Sequence, residues 1–186
     1  YDAAGRFIHF REAMMGNWGA GLGREGLDGV ANPAANISNA PVEVVEHHAP
    51  LRVERYELVP DSGGPGRWRG GLAVERQLRF LGERATLQLR SDRRRHPPYG
   101  LFGGGPGAPS QNFLEDGGAW RPLPTKFTMP FFHGQALRHV LAGAGGYGDP
   151  LEREPARVLD DVRNGKVTPA AAERDYAVRV TGPPWL

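Results

Sequence analysis

Residues 72–90 read LAVERQLRFLGERATLQLR, and the alternation in this stretch decides the fold class. Leu72, Val74, Leu78 and Phe80 fall on one face of an extended chain, with Ala73, Glu75, Gln77 and Arg79 on the other. Successive strand side chains point to opposite faces, so the pattern describes a strand with one buried face. Gly82 supplies a turn, and Ala85, Leu87 and Leu89 then alternate with Thr86, Gln88 and Arg90. The spacing predicts an antiparallel hairpin, the clearest in the chain.

Working outward, Leu51 and Val53 alternate, and Tyr56 and Leu58 resume on the opposite parity. That slip predicts a bulge near Arg55. Asp61–Gly66 is a tight glycine and proline turn. Phe113–Glu115 and Ala119–Leu123 flank Asp116-Gly117-Gly118 as a second hairpin, and residues 135–141 read as a further short strand. Pro155 stands at a first helical position, Val158, Leu159 and Val162 follow at helical spacing, and Asn164-Gly165 stops the helix. Thr168-Pro169 opens a second helix through Ala170–Tyr176, with Val178–Val180 as a last strand. Residues 1–40 are irregular and rich in Gly and Asn, including Asn32, Asn36 and Asn39, and only Phe7–Phe10 reads as a strand there. The expectation is one α+β domain over residues 1–186, β-rich with antiparallel hairpins, Gly-rich loops and a C-terminal helical pair. Residues 1–50 form its irregular segment, 51–150 its β-rich core and 151–186 its helices. So many early loop residues make sense if they pack on, or line, something larger.

Composition bounds the function. The 186 residues contain no cysteine, which excludes disulfides, thiolate metal sites and a cysteine nucleophile within them. The apolar runs are far shorter than the roughly 18 residues needed to span a bilayer, and no basic-then-apolar signal segment opens the chain. A cytoplasmic protein without membrane contact is expected. The net charge is +2, yet residues 52–95 hold 11 Arg against 6 acidic residues. Acids interleave with these arginines and stacking aromatics are sparse, so nucleic acid is not the expected partner. An arginine patch that faces another polypeptide, or that binds phosphate or carboxylate bidentately, fits better.

Each chemistry-bearing motif has a plainer reading. Asp61-Ser62-Gly63-Gly64-Pro65 looks like a serine-protease nucleophile, but only His47 and His48 lie close upstream, and a cap on nearby amides is expected instead. Gly143-Ala144-Gly145-Gly146-Tyr147-Gly148 satisfies a dinucleotide pattern, yet Asp149-Pro150 follows where a helix should open. That loop and Gly103–Gly107 are read as close backbone packing, with an amide nest for an anion as the alternative. Glu43, Glu46 and His47 would converge on a metal only on a helix, whereas Val42, Val44 and Val45 predict a strand that separates them. Glu43, Glu46, Asp61 and Asp92 remain candidates for general acid or base chemistry.

Taken together, several stretches resemble the C-terminal part of the hydantoinase B/oxoprolinase family. They are Asn39–Glu46, Pro60–Leu72 with its Asp-Ser-Gly-Gly-Pro-Gly-Arg-Trp-Arg-Gly-Gly block, Ser91-Asp92-Arg93, Gly100–Gly104, Gly145–Pro150 and Arg157–Val162. The resemblance implies part of the B component of an ATP-dependent, multi-subunit cyclic-amide hydrolase. A hydantoinase A-like component would bind ATP and Mg, and the remainder of the B component would complete a hetero-oligomer acting on a small molecule. Metal ligands in the family lie mainly upstream, so none is assigned here. Asp61, Arg67, Arg69, Asp92 and Arg93 are the expected catalytic set, with Arg67 and Arg69 orienting a phosphorylated intermediate or the A component and Asp61 and Asp92 holding those arginines. The alternatives are one component of an ATP-dependent ketone carboxylase and a non-catalytic structural component.

Overall fold

The computed structural model describes residues 7–31, 34–35 and 37–182. The expected irregular stretch at 1–6, Asn32 and Asn36, and the last four residues of the expected helical region, lie outside them. Among the described residues, seven strands and three α-helices follow in the order α1 (Val42–His48), β1 (Leu51–Val59), β2 (Ala73–Phe80), β3 (Arg84–Arg90), β4 (Gln111–Asp116), β5 (Ala119–Pro122), β6 (Lys126–Phe132), β7 (Ala136–Val140), α2 (Pro155–Arg163) and α3 (Pro169–Tyr176). A 3-10 turn at Pro150–Glu152 precedes α2. The molecule is α+β and β-rich, with the helical pair at its C-terminal end.

All strand pairs are antiparallel. One sheet runs β1-β2-β7-β4-β5 and the other is the pair β3-β6. The β1–β2 register shifts between Val53 and Arg55, which is the bulge that the change of parity predicts. β4 and β5 close on Gly117 and Gly118, both at positive φ, as the expected hairpin.

The hairpin read from residues 72–90 does not form. Its two halves are strands, but β2 bonds to β1 and β7, while β3 bonds to β6. β2 is the more buried of the two, with Ala73, Glu75 and Arg76 covered along with its apolar row, so both of its edges are taken. At Leu81 the chain leaves the large sheet and β3 starts the second one. Ala85, Leu87 and Leu89 then lie against Phe80, Leu114, Leu123, Phe131 and Leu137, so the core sits between the sheets. Alternation reports which face a strand buries, and it carries no information about which edge it bonds.

Three further expectations change. Val42–His48 is a helix: Pro41 precedes it, its carbonyl accepts from the Val44 and Val45 amides, and Val45 alone is fully buried. Phe7–Phe10 is not a strand. Val178–Val180 is likewise no strand, and it packs on a second core of Val158, Val162, Val167, Ala171, Ala172 and Tyr176 built by α2 and α3. Thr168 caps α3 by accepting from the Ala171 amide, and Gly165 turns the chain between the helices at φ 66°.

Candidate functional site

Three glycine-bearing loops, 61–71, 98–108 and 142–149, stack backbone on backbone beside the large sheet. The Gly64 amide donates to Ala144 O, Gly105 to Pro65 O, Gly107 to Pro98 O, Gly143 to Ala108 O and Gly146 to Gly105 O, all at 2.7–3.0 Å. Trp68 and Tyr147 exchange a reciprocal pair at 3.0 Å. A Cβ on Gly143 would enter the Ser62 carbonyl, and one on Gly70 would enter the Ala144 carbonyl. These glycines are therefore small because backbones meet there. The amides named are spent on one another, which answers the choice between packing and an anion nest in favour of packing.

Ser62 is equally committed. Its hydroxyl donates to Val59 O at 2.5 Å and accepts from the Ala73 amide at 2.7 Å. Asp61, at φ 60°, accepts from the Thr168 amide at 2.7 Å and from its hydroxyl at 2.8 Å. The expected capping role holds for both, and the clamp ties the first glycine loop to the start of α3.

Beneath these loops lies a cluster of charges. The Arg69 side chain, 3% exposed, donates from Nε to Asp161 Oδ2 at 3.3 Å and from Nη1 to Gly70 O at 2.6 Å, and stands 3.5 Å from Asp28 Oδ1. Arg153, equally buried, reaches Asp161 Oδ2 at 2.7 Å and Glu25 Oε1 at 2.8 Å, and donates to Arg67 O at 3.0 Å. Glu25 also accepts from the Arg69 amide at 2.6 Å. Lys166 pairs with Asp28 Oδ2 at 2.9 Å, and the Leu72 amide donates to Asp28 Oδ1 at 2.7 Å. With the more exposed Arg157, 3.2 Å from Glu25 Oε1, four cations thus face three carboxylates, which is how buried charges are tolerated. Burial alone would raise the Asp28 pKa, but the Leu72 amide, Lys166 and Arg69 outweigh it and hold the carboxyl below its ordinary value. Burial pushes the Tyr176 phenol, under Arg153, up to about 12 against the pull of the two arginines.

The arginine holders differ from those expected. Asp61 grips Thr168, and the exposed Asp92 lies 3.5 Å from Lys126. Arg69 is held instead by Asp161 and Asp28, and its loop by Glu25 and Arg153. Arg67 points outward over the Trp68 ring, 4.9 Å from its centroid and 3.4 Å from Glu152, at a shallow pocket of about 90 Å³ shared with Glu154 and Arg157. Arg93 is exposed, at φ 65°, and its carbonyl accepts from the Ser110 amide. Under the Ser91-Asp92-Arg93 loop, buried Asn112 donates to Ser91 Oγ and Pro124 O, each at 2.9 Å, and its Oδ1 meets His139 Nδ1 at 2.6 Å. Burial pushes the His139 pKa down to about 4, against a hydrogen bond to the Gln111 backbone, so the ring is neutral at pH 7 and Nδ1 is the donor to Asn112. Among the described residues no three His, Asp or Glu side chains gather as a metal site, and no helix is long and apolar enough to cross a membrane.

Sequence reasoning missed Glu25, Asp28, Asn112, His139, Arg153, Asp161 and Lys166. Asp161 carried a signal: it shares the buried face of α2 with Val158 and Val162, and an acid at that spacing needs a cation. The others come from loops and strands far apart in the chain, where spacing says nothing about proximity.

The family model described as "Hydantoinase B/oxoprolinase" matches residues 1–150. A D-/L-hydantoinase B-type protein of Pseudomonas sp. (strain NS671) is 34% identical over 92% of this chain and 29% of its own length. The beta chain of the Pseudomonas jessenii caprolactamase is 31% identical over 78% of this chain and 26% of its own. The crystal structure of the ATP-dependent caprolactamase from that organism superposes with a TM-score of 0.78 at 26% identity, over 91% of this chain and 30% of that one. A nucleotide-free acetone carboxylase shares the fold at a TM-score of 0.74 and 22% identity, over 86% of this chain and 26% of that one. The chain spans about three tenths of the length of the curated relatives it matches.

Proposed function

Because the chain belongs to the hydantoinase B/oxoprolinase family, we propose that it serves as the C-terminal part of the B component of an ATP-dependent, multi-subunit cyclic-amide hydrolase. The observation that carries this reading is the match to the ATP-dependent caprolactamase, over nine tenths of the chain in structure and at 31% identity in sequence. A hydantoinase A-like partner holds ATP and Mg²⁺, the rest of the B component completes the site, and the assembly works in the cytoplasm, where ATP is supplied.

The chemistry explains the division of labour. Amide resonance makes a lactam carbonyl a poor electrophile. Phosphorylation of its oxygen at the expense of ATP makes the carbonyl carbon electrophilic. Water adds to that carbon, the ring C–N bond breaks with the nitrogen taking a proton, and a second water releases phosphate from the acyl phosphate left behind. Such a site needs cations where phosphate charge develops, and walls that exclude bulk water. Arg67 and Arg93 are the two members of the expected set with outward guanidinium groups, and we assign them to that charge, with Asp92 beside Arg93. Arg69 and Asp61 act by positioning: one neutralises the buried carboxylates and the other fastens the loop to α3.

The test is ATP-dependent ring opening of caprolactam, 5-oxoproline and hydantoin by the assembled protein, with ADP release followed alongside. Ring opening without nucleotide would overturn the reading. So would incorporation of labelled bicarbonate into a ketone with no ring opening, which is the carboxylase alternative. Arg67→Ala is expected to lower turnover on the order of 10²-fold with the assembly intact; near wild-type turnover removes Arg67 from the site.

A further inference from the structure

At the rim of the glycine loops, residues 101–104 form a turn in which the Gly104 amide donates to Leu101 O at 2.9 Å. Its central residues are Phe102 at φ 50° and Gly103 at φ 92°. That geometry favours glycine, asparagine or aspartate, and a bulky residue there is strained. Phe102 nevertheless occupies it, 77% exposed, with its ring 4.9 Å from that of Tyr147. Tyr99 is 73% exposed and Leu101 46% exposed on the same loop. Leu151, 66% exposed, stands two residues beyond Asp149, whose backbone lies beside Gly103. Backbone strain that presents an aromatic side chain to solvent is a feature of recognition surfaces, where aromatic anchors carry much of the binding energy.

We propose that the rim formed by Tyr99, Leu101, Phe102 and Leu151 is the surface on which the rest of a hydantoinase B-type polypeptide docks. The occupant is argued from length: this fold recurs in the caprolactamase chain over only 30% of that chain, so most of such a polypeptide lies outside the matched region. The rim is also continuous with the Trp68–Tyr147 pair that joins two of the glycine loops, so a segment seated on it would brace the loops directly. The inference rests on the B-component reading above.

The experiment places a photo-crosslinking p-benzoylphenylalanine at position 102 of the chain in its assembled enzyme, with exposed Glu57 on β1 as the control position. The result expected is a crosslink from position 102, absent from position 57, to a peptide of hydantoinase B-type sequence outside residues 1–186. A crosslink to the ATP-binding component, a crosslink to a second copy of these residues, or none above the control overturns the proposal. Phe102→Asn supplies an independent reading, because asparagine tolerates the left-handed turn. The chain's own melting temperature is expected to hold or rise, while its dissociation constant for the B-type remainder, supplied as a separate polypeptide, increases at least tenfold. Unchanged association overturns the proposal. Ring opening measured in the same preparations separates the two readings: a B-type crosslink without ATP-dependent hydrolysis removes the reaction and leaves the surface.

Discussion

Arg69 is held on several sides by groups from distant parts of the chain, and no water-facing side remains on it. Its loss would leave Asp161 and Asp28 buried with one cation fewer. Arg69→Met is therefore expected to destabilise the fold by about 3–5 kcal/mol. The check is the urea midpoint at an unchanged slope, and a wild-type midpoint would show that the cluster relaxes around the gap. His139 gives a pH-dependent counterpart. Its folded pKa, about 4, lies below its ordinary value of 6.5, so the unfolded chain binds the proton first on acidification. The neutral ring's contribution is complete above about pH 6.5 and falls by up to about 1.4 kcal/mol per pH unit towards pH 4. Stability measured across that window should slope accordingly, and the slope should flatten in His139→Gln. At this scale the sequence was partly legible. That Asp61 and Ser62 would accept from backbone amides followed from turn chemistry, although the partner of Asp61 lies 107 residues away. Asp161 was missed, though an acid on the buried face of α2 was a signal. Asp28 and Glu25 had no local pattern to betray them, because their partners lie more than 40 residues away.

Among the elements, six of the seven strands were legible as strands, while β6 was missed and Phe7–Phe10 and Val178–Val180 were read as strands that do not form. Helices α2 and α3 were legible as helices, down to the Asn164-Gly165 stop and the Thr168 cap. Pairing was not. β2 and β3 are neighbours in sequence, and edge competition from β1 and β7 separates them. α1 escaped notice because three valines in a short run favour a strand locally, and the preceding proline with one buried contact decides otherwise. Thr168→Ala removes both the α3 cap and the hydroxyl that Asp61 accepts from, and about 1 kcal/mol of stability should go with it. Thermal melting reads the loss, and Asp61→Ala should be non-additive with it. Gly143→Ala tests the loop stack. Its methyl has no room against the Ser62 carbonyl, so a cost of about 3 kcal/mol or more is expected, and a soluble variant with wild-type melting would refute close packing as the reason for this glycine.

For the molecule as a whole, the loops, the helical pair and the N-terminal segment form one mechanical unit, because Glu25, Arg69, Arg153 and Asp161 are shared among them. Family membership was legible from the order of short motifs, which lie largely in these loops and at their joins. Several of their glycines, such as Gly70 and Gly143, are dictated by contacts between backbones, which leave no room for a side chain. What spacing withheld was the electrostatic filling beneath them.

That filling also imposes an order on biosynthesis. Arg69 leaves the ribosome 92 residues before Asp161, and Glu25 waits 128 residues for Arg153. At roughly 5–20 residues per second, the early half must idle for seconds with Arg153, Asp161 and Lys166 still untranslated. Ribosome-stalled chains ending before residue 153 should accordingly be cut by protease within 61–71, and chains carrying the complete helical pair should resist.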